Sequence, residues 1–401
     1  MFWFEKKGLG WLKKNILFFA FGGAVLLSAL LRIQNLSFCT WDMEGFFLPW
    51  VEVFKQEGIA ALRHGVGNYT IPYMLYIYAV SVFTTGQAAA VAMVKALAVV
   101  FDYLLAAGAG LVVYTLHGGT RRVKTKWGAL AFAATLFVPQ VLLNSSLWGQ
   151  CDSIYVAFGV FAVYFLLKQN WPIAFLMLSL SFCFKMQSIF LLPLFIFVYA
   201  AERRFSVFWF GLPPLLLFVT SLPAVFVGAS PFVAFQIYLG QTDYDPRVFI
   251  DYPNAAAFIQ DERHEYFAPL LIGAALLLCF LMLCWVLYKN IRVRGFALLQ
   301  LAAFSALACV LFLPSMHERY GYLAEVLLWA CFFVRPAGKT LWPAALFTLS
   351  GYCAYASYLF GFWPLPKEAL AAANLAAFVW YTWQVGVVNN LGPKCSKAKQ
   401  L

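Results

Sequence analysis

The sequence predicts an all-α polytopic membrane protein: a helical bundle of about 12 transmembrane helices, with juxtamembrane helices in the first external loop. Three observations predict this class. Apolar residues make up 63% of the 401 residues and charged residues 11%, against about 25% charged in an average soluble domain. Apolar stretches close to the roughly 20 residues that cross hydrocarbon recur along the whole chain, and there they must be helical, because hydrocarbon offers a loose backbone no hydrogen-bond partner. The Lys and Arg residues fall in short clusters between those stretches, as in cytoplasmic loops. The net charge of +11 is therefore not a nucleic-acid footprint. The nine cysteines show neither metal nor framework spacing, and Cys183, Cys279, Cys284 and Cys309 sit inside apolar runs as small hydrophobes.

The basic clusters orient the chain. They are Lys6-Lys7 with Lys13-Lys14, Arg121–Lys126, Lys168, Glu202–Arg204, Lys289–Arg294, Arg335–Lys339 and Lys394–Lys399. The positive-inside rule puts them, and both termini, in the cytoplasm. A first helix over 15–36 runs outward and is retained, since it shows no small-residue cleavage site. Segment 88–116 returns. Outward and inward crossings then alternate over 128–146, 153–167, 172–186, 188–201, 206–228, 268–288, 295–313, 320–334, 340–361 and 370–388. Ile71–Phe83 must not span, or every later helix would invert, so it is a juxtamembrane or re-entrant helix. In Phe46–Leu62, Phe47, Trp50, Val51 and Phe54 share one helical face and Glu52, Lys55, Gln56 and Glu57 the other; this reads as an in-plane interfacial helix or an ordinary loop helix.

With this threading, nearly all the non-basic polar chemistry gathers on the outer face: Ser37–Thr70, Leu147–Ser153, Gly228–Ala268, Leu313–Tyr322 and the turn Phe184–Ser188. Asp42 and Glu44 stand between Trp41 and Phe46-Phe47, either as loop acids or as carboxylates whose partial burial suits a general base. Trp148, Gln150 and Asp152 suit sugar stacking and hydroxyl binding; Asp152 is equally a helix cap. Lys185 and Gln187 interrupt an apolar stretch, by function or by snorkelling. His317, Glu318, Arg319, Tyr320 and Tyr322 form the densest polar cluster, and an anion such as phosphate accounts for Arg319 and Lys185 on a face that otherwise avoids positive charge. Lys95 and Asp102, seven residues apart on one helix face, read as a buried pair with a packing role. Asp243, Asp245, Arg247 and Asp251 leave a cation site open, with no standard calcium-loop spacing. Walker, H-E-x-x-H and G-x-S-x-G motifs are absent.

Taken in order, "WDMEGFFLPWVE", "NYTIPYMLY", "LWGQCDS", "FKMQS" and "MHERYGY" resemble the GT-C superfamily of integral-membrane glycosyltransferases, most closely its polyprenyl-phosphate-sugar-dependent glucosyl- and mannosyltransferases. The resemblance runs over roughly residues 35–325 and departs from the family in having a single Pro72 where a proline pair is usual. It implies one membrane domain over 1–401. Residues 1–230 would be a GT-C-like catalytic module with its first external loop at 37–87. Residues 231–401 would be variable C-terminal helices with outer loops at 229–267 and 314–322.

The implied reaction is inverting transfer of a hexose from a polyprenyl-phosphate carrier to an acceptor hydroxyl of a lipid-linked or polymeric glycan, on the extracytoplasmic face. Asp42 matches the family's base, with Glu44 as a second candidate. Lys185, His317 and Arg319 would hold the donor phosphate. Trp148, Gln150, Asp152, Gln187 and Glu318 would contact sugar or acceptor. The lipid tail would lie between 188–228 and 295–334. No cofactor or obligatory metal is implied, because phosphate already leaves well. The alternative reading is a transporter or flippase for lipid-linked sugars, which would more often show two related halves; none is found between 1–200 and 201–401.

Overall fold

The computed structural model describes residues 2–242, 247–259 and 264–390. Asp243, Asp245 and the basic tail Lys394–Lys399 lie outside them. Among the described residues the regular structure is helical, with one isolated β-bridge between Phe249 and Met316.

Sixteen α-helices follow one another: α1 Trp3–Asn35, α2 Leu48–Glu57, α3 Ile71–Phe83, α4 Gln87–Leu116, α5 Arg121–Phe137, α6 Pro139–Leu142, α7 Asp152–Leu167, α8 Trp171–Phe184, α9 Leu192–Glu202, α10 Leu212–Phe226, α11 Val233–Thr242, α12 His264–Tyr288, α13 Gly295–Phe312, α14 Tyr322–Val334, α15 Gly338–Phe360 and α16 Lys367–Asn390. Proline starts several of them: Pro49, Pro72, Pro139, Pro172, Pro193 and Pro213 stand in first turns, where the missing N–H had no intrahelical partner to lose.

A helix occupies each of the twelve segments read as crossings. Among the described residues, five helices are long and apolar enough to cross a membrane, Trp3–Asn35, Gln87–Leu116, Val207–Phe226, His264–Tyr288 and Gly295–Phe312, and a sixth span results if Arg121–Phe137 and Pro139–Trp148 are one element. These make the chain a membrane-embedded helical protein. Segment 128–146 is not straight: it bends by 59° where Val138 leaves helical geometry and Pro139 restarts it, as a residue before proline is driven to do. Ile71–Phe83, at 13 residues, falls short of the roughly 20 that a crossing needs.

The main core is built around α13, whose side chains are almost all buried, with α4, α5, α7, α8, α9, α14, α15 and α16 contributing to it. Helices α1 and α12 are peripheral and turn Phe18, Leu26, Leu276 and Phe280 outward, as lipid-facing helices do. Helices α4 and α5 touch through glycines: a Cβ on Gly110 would lie 2.9 Å from the Gly128 carbonyl oxygen, the small-residue contact on which close membrane helix pairs depend.

A second core gathers the first external loop. Phe47, Val51 and Phe54 of the amphipathic segment are buried with Tyr69, Tyr73 and Ile77. The apolar face of α2 therefore packs on α3 inside the protein, not on lipid, because the tyrosine-rich face of α3 lies beneath it. Glu52, Gln56 and Glu57 face outward.

The predicted Lys95–Asp102 pair does not form. Asp102 accepts from Arg32 Nε at 2.8 Å and from Ser145 Oγ at 2.5 Å, tying α1, α4 and the bent segment together. Lys95 donates to the carbonyls of Asn35 at 2.9 Å, Phe38 at 2.5 Å and Leu147 at 2.9 Å. Both choices follow from geometry. Lys95 reaches the chain end of α1, where carbonyls lack intrahelical partners, whereas Arg32 one turn earlier lies level with Asp102.

The ends of the bundle differ chemically. At one end Arg204 donates to Gln169, Arg294 pairs with Glu202, Arg335 lies over Phe296, and Trp127 joins His117 to Phe333. The other end holds the cluster described next.

Candidate active site

Six chain segments meet at that other end. Asp42 enters from a π-type turn, Met43–Phe47, that follows α1. Trp148 and Gln150 flank Gly149, whose φ of +90° reverses the chain between them. A Cβ there would lie 2.5 Å from Met43 Cε, so glycine is required both by conformation and by space. Asp42 is 6% exposed. Its Oδ2 accepts from Trp148 Nε1 at 2.8 Å and Gln150 Nε2 at 2.7 Å, and its Oδ1 from the Tyr358 hydroxyl at 2.5 Å. A carboxylate has about four acceptor positions; the one left over is on Oδ1, beside Tyr358, which is 39% exposed.

The second half of the cluster is ionic. Asp152 opens α7, yet no side-chain cap bond forms at that helix start. Its Oδ1 instead pairs with Lys185 Nζ at 2.7 Å, its Oδ2 accepts from Asn144 Nδ2 at 3.0 Å, and Arg319 Nε stands 3.7 Å from Oδ2. Lys185 is buried and lies over the Tyr69 ring, so it does not snorkel. It is placed there by the chain break after α8, where Lys185 is extended before the turn Met186–Leu191 begins.

Arg319 joins the halves. Its guanidinium sits 5.1 Å from the Trp148 ring and donates to Glu318 Oε1 at 2.5 Å, while its Nε has no hydrogen-bond partner. His317 Nδ1 lies 3.7 Å from Glu318 Oε2. Burial alone would raise the Glu318 carboxyl, but the Arg319 charge and the His317 contact outweigh it and hold it down at about 2.

This segment is braced by the outer loop. Ser315, with φ of +58°, donates its N–H to the Val248 carbonyl and its hydroxyl to the Arg247 carbonyl, each at 2.7 Å. The N–H groups of Asp251 and Tyr252 both donate to the Met316 carbonyl. Gly321 is pressed on the Tyr252 ring, which any Cβ would overlap. Burial, and next the Glu318 charge, push the Asp251 carboxyl up to about 7.

The residues predicted from sequence thus divide. Asp42, Trp148, Gln150, Asp152, Lys185, Glu318 and Arg319 form one connected cluster, with His317 at its edge. Gln187 is buried in the turn after Lys185 and makes no hydrogen bond to the cluster among the described residues. Glu44 is not part of it: it is exposed and lines a separate cavity of about 390 Å³ with Glu52, Lys55 and Gln87, because residues two apart on a helical turn point to opposite sides. Helices α9 and α13, expected to flank a lipid groove, lie in the same buried core.

Four residues were missed. Tyr69 donates to Gln150 Oε1 at 2.7 Å, Asn144 Nδ2 contacts the Tyr355 hydroxyl at 3.0 Å, and Tyr355 meets the Trp148 ring edge-on while Tyr358 lies tilted over it. The polar run Asn144-Ser145-Ser146 inside an apolar stretch was a readable signal for the first of these helix contacts. Tyr355 and Tyr358, three apart near the end of α15, share a helix face, but nothing local links Tyr358 to Asp42, 316 residues away. Comparison with protein-family models and with curated proteins finds no match to the chain.

Proposed function

We propose that the protein is an inverting glycosyltransferase. It takes a hexose from a polyprenyl-phosphate carrier and places it on the hydroxyl of a lipid-linked or polymeric glycan, with the Asp42 end of the bundle facing out of the cell and both termini inside. The observation that carries the reading is convergence. Asp42, Lys185 and Arg319 come from positions far apart in the chain and meet through Trp148 and Asp152, at the end of the bundle away from the basic loops.

In this reading the acceptor hydroxyl approaches the free position on Asp42 Oδ1. Asp42 takes its proton as the acceptor oxygen bonds to the anomeric carbon. The anomeric carbon–phosphate oxygen bond breaks, and its electron pair leaves on polyprenyl phosphate. The Arg319 Nε, which has no hydrogen bond though Asp152 stands 3.7 Å away, the remaining donors of Lys185, and His317 would face that growing negative charge. Trp148, fully buried against Tyr355 and Tyr358 and so closed to the sugar stacking expected of it, fixes the carboxylate together with Gln150. The reading is tested by incubating the purified protein with synthetic polyprenyl-phosphate hexoses and measuring release of polyprenyl phosphate. Release that is no faster with the protein than without it, across hexoses and glycan acceptors, rejects it.

One observation favours transport instead. Glu325 is 1% exposed within α14 and both its carboxyl oxygens lack a partner, as in proton-coupled carriers. Proton-driven uptake of lipid-linked sugar by vesicles, abolished by Glu325→Gln, would select that reading.

A further inference from the structure

At the basic end of the bundle, opposite Asp42, helices α12, α13 and α16 enclose a cavity of about 520 Å³, within the range of small-molecule sites. Leu281, Phe304 and Val379 make its walls apolar. Two features separate it from an ordinary seam between helices. Thr382 lines it, and the Thr382 hydroxyl is buried with no hydrogen-bond partner, although a buried polar group is ordinarily satisfied. Trp285 and Trp383 stand at its edge, 36% and 59% exposed, the disposition of indole rings at the carbonyl level of a leaflet.

Charge completes the picture. Lys289 Nζ lies 5.0 Å from the Trp285 ring and 4.9 Å from the Tyr288 ring. Arg292, three residues on in the same turn, is exposed. Arg294 is paired with Glu202, but Lys289 and Arg292 have no acidic partner among the described residues. An apolar slot, an unused hydroxyl beside it and two uncompensated cations beyond it follow one another in the order of an acyl chain, an ester carbonyl and a phosphate.

We propose that this groove binds one anionic glycerophospholipid from the leaflet at the basic end. An acyl chain fills the slot between α12, α13 and α16, an ester carbonyl accepts from Thr382, and the headgroup phosphate sits against Lys289 and Arg292. The site is independent of the Asp42 cluster and of what that cluster does.

The test is native mass spectrometry of the full chain in detergent, titrated with phosphatidylglycerol or with phosphatidylcholine of the same acyl chains. One phosphatidylglycerol is retained in preference to phosphatidylcholine. Removing each basic residue weakens retention roughly five-fold, so Lys289→Ala with Arg292→Ala loses about 25-fold. Gly386→Leu fills the slot, since a Cβ there meets Trp285 only at an ordinary 3.5 Å, and it removes the retained lipid. The surface variants keep the proposal falsifiable if Gly386→Leu fails to fold. Equal retention of the two lipids, or undiminished phosphatidylglycerol binding when both cations are gone, overturns it.

Discussion

Replacing Asp42 with asparagine separates chemistry from structure. The carboxylate accepts from Trp148, Gln150 and Tyr358. Asparagine has nearly the same shape. With its Oδ1 toward Trp148 and Gln150, its Nδ2 faces the Tyr358 hydroxyl, which can reverse and accept. All three contacts survive, but they become neutral. A hydrogen bond to a charged group contributes about 1.5–3 kcal/mol and a neutral one about 0.5–1.5 kcal/mol, so over three bonds Asp42→Asn should lose about 3–4.5 kcal/mol. Asp42→Ala strands two buried donors, Trp148 Nε1 and Gln150 Nε2, at about 1–3 kcal/mol each; Tyr358 is exposed enough to find water. The two variants should therefore be of similar stability. Their activity should be lost together, by the roughly 10²–10⁴-fold that a general base supplies. Release of polyprenyl phosphate from a synthetic donor, beside thermal unfolding of the same preparation, measures both. Transfer by Asp42→Asn within about tenfold of wild type would remove this carboxylate from the mechanism.

Other outcomes are expected. Lys95→Met leaves the carbonyls of Asn35, Phe38 and Leu147 without their donor, and should lower stability by about 3 kcal/mol or more while loosening the loop that carries Asp42; proteolysis in that loop is the readout, and unchanged cleavage contradicts it. Lys185→Ala and Arg319→Ala should raise the concentration of donor needed more than they slow a saturated turnover, and an effect confined to the acceptor would reassign both side chains. Gly321→Ala should markedly lower the unfolding temperature through overlap with Tyr252, and a neutral outcome would show that the Tyr252 loop yields easily. The Asp251 carboxyl, near 7 when folded and 3.8 ordinarily, contributes stability below pH about 4 that is lost as pH rises through about 7. Asp251→Asn should flatten that decline in a pH series of unfolding temperatures. Glu318 has the opposite sign, with stability present above 4.5 and lost only as pH falls through about 2.

Much of the fold was legible because its causes are local. Apolar length and proline position place the helices, and the scattered basic residues divide the two ends of the bundle. Local pattern could also single out Asp42, Lys185 and Arg319, since a charge in apolar surroundings is conspicuous. It could not assign their partners. Lys95 looked matched to Asp102 by heptad spacing, but the winning contacts come from α1, the residues just after it and the bent segment before Gly149, which no spacing within α4 can reveal. Glu44 looked equivalent to Asp42 until the π-type turn sent it outward. Tyr358 was invisible for the same reason: its role exists only where α15 ends against Trp148.

Asp152 has a consequence for turnover. Set between Lys185 and Arg319, it is a resident stand-in for the anion that the proposed reaction would bring. In the proposed reaction an arriving donor would have to displace it from the two cations, and a departing polyprenyl phosphate would hand them back. Binding would thereby be an exchange of one negative partner for another, which would moderate affinity at both ends of the cycle and let the spent carrier leave without a large rearrangement of the bundle.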